Sequence, residues 1–157
     1  MACVTIHHWP DRARGLAELR RVARGPVVIF TFELDELIGW QRDYLGPALA
    51  LEIPRFGTCE EVAAELGGVT RIETIPTPAD CTDGFFEAFW NRPEALLDPT
   101  VRASQSLWQL VGPEVEEEIV GRLAADLESG RWDEEHGALR ERQSYEGSLR
   151  LVISDPA

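Results

Sequence analysis

Cys3-Val4-Thr5-Ile6-His7-His8-Trp9-Pro10-Asp11, continued by Leu16-Ala17-Glu18-Leu19-Arg20-Arg21-Val22-Ala23-Arg24 and by Val27-Val28-Ile29-Phe30-Thr31-Phe32, is the stretch that decides the fold. Cys3 to Ile6 reads as the end of a buried strand. Pro10 and Asp11 supply a helix start, after which Leu16, Leu19, Val22 and Ala23 share one face with arginines opposite. Gly25 and Pro26 stop that helix. Val27 to Phe32 is an unbroken β-branched and aromatic run, the pattern of a strand covered on both faces of a parallel sheet. Strand, helix and strand form one βαβ unit, and a crossover helix of this kind joins parallel strands.

Working outward, residues 34 to 54 carry Leu37, Ile38, Trp40, Tyr44 and Leu45 together with Pro47 and Pro54, a mixture that predicts irregular helical turns. Thr58 followed by Glu61 is a capping box opening a helix through Leu66, closed by Gly67-Gly68. Val69 to Ile75 reads as a strand. From Thr77 to Tyr145 the pattern is helical with breaks: Asp83 caps Phe85 to Trp90, Pro93 opens a turn through Leu97, and Thr100 starts another. The clearest helix begins at Pro113, places Val115, Ile119, Leu123 and Leu127 on one stripe, and ends at Gly130. Ser148 to Ser154 sets Leu149, Leu151 and Ile153 against Arg150 and Val152, as a last strand would.

At 157 residues and 44% hydrophobic content the chain buries one real core, so a single unit over 1–157 is expected. A net charge of -13 opposes binding to a polyanion, whose phosphates need cations. All 15 basic residues are arginine, a bias that points to a GC-rich bacterial coding sequence. Cys3, Cys59 and Cys81 are odd in number and in no CxxC pair, which signals neither a disulfide framework nor zinc and makes a reducing cytoplasm the default. The longest apolar run, Pro26 to Phe32, falls far short of a membrane span.

In combination, the His7-His8-Trp9-Pro10-Asp11 ending, the Arg20-Arg21-Val22 helix end and the following strand resemble the fourth strand, helix and fifth strand of class I S-adenosylmethionine-dependent methyltransferases of the small-molecule branch. The turn Arg24-Gly25-Pro26 is shorter than that family's Arg-Pro-Gly-Gly. The resemblance implies an α/β fold: the C-terminal half of a Rossmann-like sheet, with two parallel strands plus an antiparallel strand pair, and helical lid insertions. Leu149 to Ile153 is then the antiparallel strand lying between Val27 to Phe32 and Val69 to Ile75. Residues 77–146, with Asp80-Cys81-Thr82-Asp83-Gly84-Phe85 and Trp90-Asn91-Arg92-Pro93-Glu94, look like the lid of one bacterial branch.

The family holds S-adenosylmethionine on a glycine-rich turn after its first strand and an acidic residue ending its second. No GxGxG occurs in the 157 residues. The resemblance therefore implies a truncated methyltransferase domain that does not bind the cofactor by itself. It also implies a Cys3 to Ile6 strand left as a sheet edge, open to self-association or to a partner chain.

His7 and His8 stand where open α/β sheets place ligands. His7 is the candidate cofactor-facing group. His8 reads either as a substrate-facing group or general base, or as a histidine bonded to backbone at a strand end. No spacing among His7, His8 and His136 makes a metal site. Trp9, Phe32, Trp40, Tyr44, Phe89 and Trp90, with Phe85 and Phe86 beside them, fit either a pocket for a flat small-molecule methyl acceptor or ordinary core packing. Two other readings stay open: a noncatalytic remnant, and a ligand-binding or interaction module.

Overall fold

The computed structural model describes residues 1–37 and 39–156; Ile38, one of the apolar positions of the 34–54 stretch, lies outside them. The chain divides into two compact units: Met1–Glu36 with Ile53–Ile75 and Glu146–Ala157, and Leu37–Glu52 with Pro76–Tyr145.

In the first unit, β1 (Ala2–Cys3) is followed by α1 (Arg12–Val22) and β2 (Val27–Phe32), and β1 pairs with β2 in parallel, Ala2 opposite Ile29. Asp11 caps α1 by accepting from the Arg14 amide at 2.9 Å. At the helix end, Arg20 donates to the Gly25 carbonyl at 2.6 Å and to that of Ser154 at 3.1 Å, which fixes the short turn into β2. α3 (Cys59–Leu66) carries the expected capping box, with Glu61 N–H on Thr58 Oγ1 and Thr58 N–H on the Glu61 carboxylate. β3 (Val69–Thr74) and the last strand, β6 (Leu149–Asp155), complete a sheet of order β1-β2-β6-β3. β6 runs antiparallel to both neighbours, Ile29 opposite Val152 and Ile72 opposite Val152. The topology is the one the resemblance implies.

α1 and α3 cover one face of this sheet, burying Leu16, Val62 and Leu66 against Ile6, Val27, Ile29 and Val152. Four local expectations change. The first strand ends at Cys3, not Ile6, because Val4 takes φ 44°, a value that sterics make rare for a β-branched residue. The chain leaves the sheet there, and Ile6–His8 wind into one 3-10 turn. Val22 is 62% exposed, since six residues beyond Leu16 turn a helix about 240°, away from the stripe of Leu16, Leu19 and Ala23. β6 has no solvent face: Leu149, Arg150, Val152 and Ile153 are all buried, as befits a central strand.

The fourth change is α2 (Trp40–Phe56), one helix of 17 residues where irregular turns were expected. Pro47 lies inside it and supplies no N–H for the Asp43 carbonyl. That carbonyl instead accepts from Arg122 at 3.2 Å, and the same guanidinium lies 4.5 Å from the Tyr44 ring centroid. In the second unit, β4 (Thr77–Pro78) and β5 (Ser144–Tyr145) pair as a two-stranded ribbon at the two ends of the inserted segment. Between them run α4 (Pro99–Ala103), α5 (Ser106–Gln109), α6 (Pro113–Glu128) and α7 (Arg131–His136), the last unforeseen in the sequence. α6 buries Ile119 and Leu123 as the stripe predicts. Among the described residues, no helix is long and apolar enough to cross a membrane.

Gly46 and Gly57 make opposite predictions. Gly46 lies inside α2 with open space where a Cβ would stand, so Gly46→Ala raises stability by about 0.5–1 kcal/mol. Gly57 has φ 65° and a Cβ there would collide with Arg12 and Glu61, so Gly57→Ala destabilises by more than about 1 kcal/mol. Urea unfolding midpoints of the two variants check both signs.

Candidate functional site

Four rings form a column in the first unit. Phe32, at the end of β2, meets Phe56, the last residue of α2, edge to face at 5.6 Å. Phe56 stacks on His7 at 3.9 Å with 19° between planes, and His7 meets His8 at 3.8 Å and 46°. Burial falls along the column: Phe32 and Phe56 are covered, His7 is 9% exposed, and His8 stands in solvent. The 3-10 turn places His7 inward and His8 outward, which a strand end would also do; the turn adds their close ring contact.

Arg55, one residue before Phe56, brings Nη2 within 3.4 Å of His8 Nδ1. The position of Arg55 and Phe56 is set by Arg12. Its Nη1 donates to the Phe56 carbonyl at 2.7 Å, an orphan acceptor at a helix end, while Nε and Nη2 grip the two oxygens of Glu65 in α3 at 3.0 and 2.7 Å. The bidentate pair raises the Arg12 pKa, with the Glu65 hydrogen bond as the main cause.

His7 is held neutral. Burial lowers its pKa from 6.5 to about 4, with His8 and then Arg55 adding unfavourable charge. Its Nδ1 is buried without a hydrogen-bond partner. Trp9 is partly buried against the α1 and α3 core, its indole lying over Gly15, where any Cβ would strike the ring.

A second buried cluster lies at the end of β2. Glu33, 6% exposed, accepts from the Cys59 amide at 2.7 Å and so caps the start of α3. Burial, and then Glu33, push the Cys59 thiol up, so it is an inert core group, while the nearby Arg150 charge pulls the other way. Arg150 donates to the carbonyls of Gly147 and Leu149 at 2.7 and 2.9 Å.

In the second unit, Trp40, Tyr44 and Trp90 are no more than 3% exposed. Trp40 Nε1 donates to the Trp90 carbonyl at 2.7 Å and its ring meets Trp132 edge to face at 5.7 Å. Trp90 stacks on Tyr145 at 5.4 Å, and Tyr44 donates to Asp126 Oδ2 at 2.6 Å. Burial, with that hydrogen bond second, pushes the Tyr44 pKa up to about 12, so it stays protonated. Phe89 keeps part of its ring exposed, with the Arg92 guanidinium 5.4 Å from its centroid.

The structure thus brings His7, His8 and Phe32 together in the first unit through Phe56, and Trp40 and Trp90 together in the second. Sequence reasoning passed over Arg12, Arg55, Phe56 and Glu33. Glu33 was detectable as an acid directly after a six-residue apolar strand; Arg55 carried no signal, since an arginine after a proline is ordinary surface chemistry.

No protein-family model matches the chain, and no curated protein matches it. Among solved structures it is similar to a candidate methyltransferase from an antibiotic biosynthesis pathway of Anabaena variabilis ATCC 29413, with a TM-score of 0.88 and 28% identity over 97% of this chain. The chain spans 64% of the length of that protein. Sheet order and this similarity define a mixed α/β, methyltransferase-like fold.

The depressed His7 pKa makes stability pH-dependent. Below about pH 6.5 the unfolded chain takes a proton on His7 that the folded chain refuses until about pH 4, so stability falls as pH falls through this window. The loss between about pH 7 and pH 5 is roughly 2 kcal/mol. His7→Phe, which keeps a ring against Phe56, removes that part of the slope, as urea midpoints at the two pH values will show.

Proposed function

We infer that this chain supplies the acceptor-side part of a class I S-adenosylmethionine-dependent methyltransferase acting on a small molecule. The observation that supports it best is the β1-β2-β6-β3 order, with β6 antiparallel between two strands, together with the similarity to a candidate methyltransferase over 97% of the chain. His8 is the proposed ligand-facing group, since it is exposed and its ring is braced from two sides. Trp9, in the same unit as His8, is only partly buried and is the aromatic group proposed to touch an acceptor there; Phe89, partly buried in the second unit, is a candidate contact of that unit by itself. Phe32, Trp40, Tyr44 and Trp90 have their rings covered and act by fixing the surfaces around them. The acidic surface, at net charge -13, favours neither nucleic acid nor an anionic membrane as partner.

S-adenosylmethionine does not find a full site in these residues. No glycine-rich turn is present, and Glu33, the acid that ends β2, is turned inward onto the Cys59 amide. His7 offers one unpartnered nitrogen, a single contact for a cofactor that needs many. The remaining contacts are proposed to come from elements outside these 157 residues, in the same polypeptide or in a second one.

β1 is a natural docking line for such elements or for another copy. It pairs with β2 alone among the described residues and stands at the sheet edge. The opposite edge, β3, is guarded by Arg71 in ion pairs with Glu73 and Asp155, both at 2.9 Å.

Calorimetric titration of the purified monomer with S-adenosylmethionine is expected to give no low-micromolar binding, and such binding would overturn the division of labour proposed here. The same residues carried in a longer chain that includes a glycine-rich βα turn are expected to bind the cofactor. Failure of that longer, folded chain to bind would remove the methyltransferase reading.

A further inference from the structure

His8 has two ring nitrogens, and one of them meets a cationic neighbour. Nδ1 faces Arg55 Nη2 at 3.4 Å. A guanidinium carries N–H donors only and stays protonated at any pH the protein survives, so it has no lone pair to accept from an imidazole N–H. The contact is favourable when Nδ1 presents its lone pair and repulsive when Nδ1 carries hydrogen. On one side the His8 ring is backed by the His7 ring, 3.8 Å away and itself stacked on Phe56, which narrows the room it has to turn. The backbone of Arg55 is held as well: it belongs to the last turn of α2, which Arg12 pins through the Phe56 carbonyl at 2.7 Å.

We propose that Arg55 is a positioning residue that holds His8 as the Nε2–H tautomer, so that His8 meets its ligand as a hydrogen-bond donor and not as a proton acceptor. The idea rests on reading His8 as ligand-facing, but the tautomer itself is a property of the resting protein. A donor Nε2–H beside a guanidinium cation suits an electron-rich oxygen, a carboxylate or carbonyl of the ligand, and is ill suited to stripping a proton from a neutral hydroxyl. A general-base role for His8 would first require Arg55 to withdraw and the ring proton to change nitrogen.

Nitrogen-15 NMR of the labelled chain near neutral pH reads this directly through long-range proton–nitrogen correlations of the three histidines, with His8→Gln identifying the His8 resonances. The expected result is Nδ1 as the unprotonated nitrogen of His8, shifted upfield by accepting a hydrogen bond. In Arg55→Met, which keeps an apolar stem of similar length, the two nitrogen resonances of His8 move toward each other, as a mixture of tautomers requires. Arg55→Lys, which restores a cationic donor, returns part of the shift. A wild-type His8 in the Nδ1–H form overturns the proposal, and so does an Nδ1 resonance that is the same in Arg55→Met as in the wild type. Should Arg55→Met fail to fold, the wild-type tautomer and the Arg55→Lys shift still decide. Methyl transfer enters none of these measurements, so an inactive or cofactor-free chain leaves the test intact.

Discussion

The first unit hangs on one guanidinium. Arg12 opens α1 and reaches the Glu65 carboxylate in α3 with two of its donors and the Phe56 carbonyl at the end of α2 with a third. The fork geometry is what allows one side chain to join three helices, since a lysine offers a point charge with no fixed pair of directions. With Arg12 20% and Glu65 27% exposed, the pair is shielded enough to exceed a surface ion pair in strength. The cost falls on Gly57, where the chain between α2 and α3 passes so close to Arg12 and Glu61 that no Cβ fits. Everything at the exposed end of the ring column, Arg55 and Phe56 included, takes its position from this clamp.

α2 shows how a helix survives a residue that should break it. Pro47 deletes a hydrogen bond and crowds the Asp43 carbonyl, yet the helix continues because Arg122 from α6 takes up that carbonyl and lies over the Tyr44 ring at the same time. Trp40 Nε1 on the Trp90 carbonyl and Gln41 on that of Phe86, both at 2.7 Å, tie the first turn down. Each of these partners is at least 45 residues away in sequence. Window-by-window reading counts two prolines and predicts turns, because the compensation lies outside every window.

The site has the same split. The histidine pair and its place after the first strand were legible, whereas the acid Glu33 was passed over. What makes the pair chemically distinct was not: His7 is neutral because Phe56 covers it, and His8 is oriented because Arg55 arrives from a helix 47 residues downstream. For Trp40, Tyr44 and Trp90 the sequence left pocket lining and core packing open; in the structure Trp40 meets Trp132 edge to face, Tyr44 donates to Asp126, Trp90 stacks on Tyr145, and all three are covered.

By itself the sequence determined the strand-helix-strand opening, the Thr58 capping box and the parallel pairing of β1 with β2, while the antiparallel β6 between β2 and β3 was implied by the family resemblance alone. The first three are local, or follow from the handedness and burial rules that any α/β sheet obeys, so periodicity and caps suffice to read them. Only the tertiary structure decided that the strand stops at Cys3, that α2 runs through Pro47, that Val22 faces water and which nitrogen of His8 meets Arg55. Each of these depends on a contact between residues distant in the chain or on a single dihedral angle, and neither a residue type nor its spacing encodes where a remote side chain will arrive.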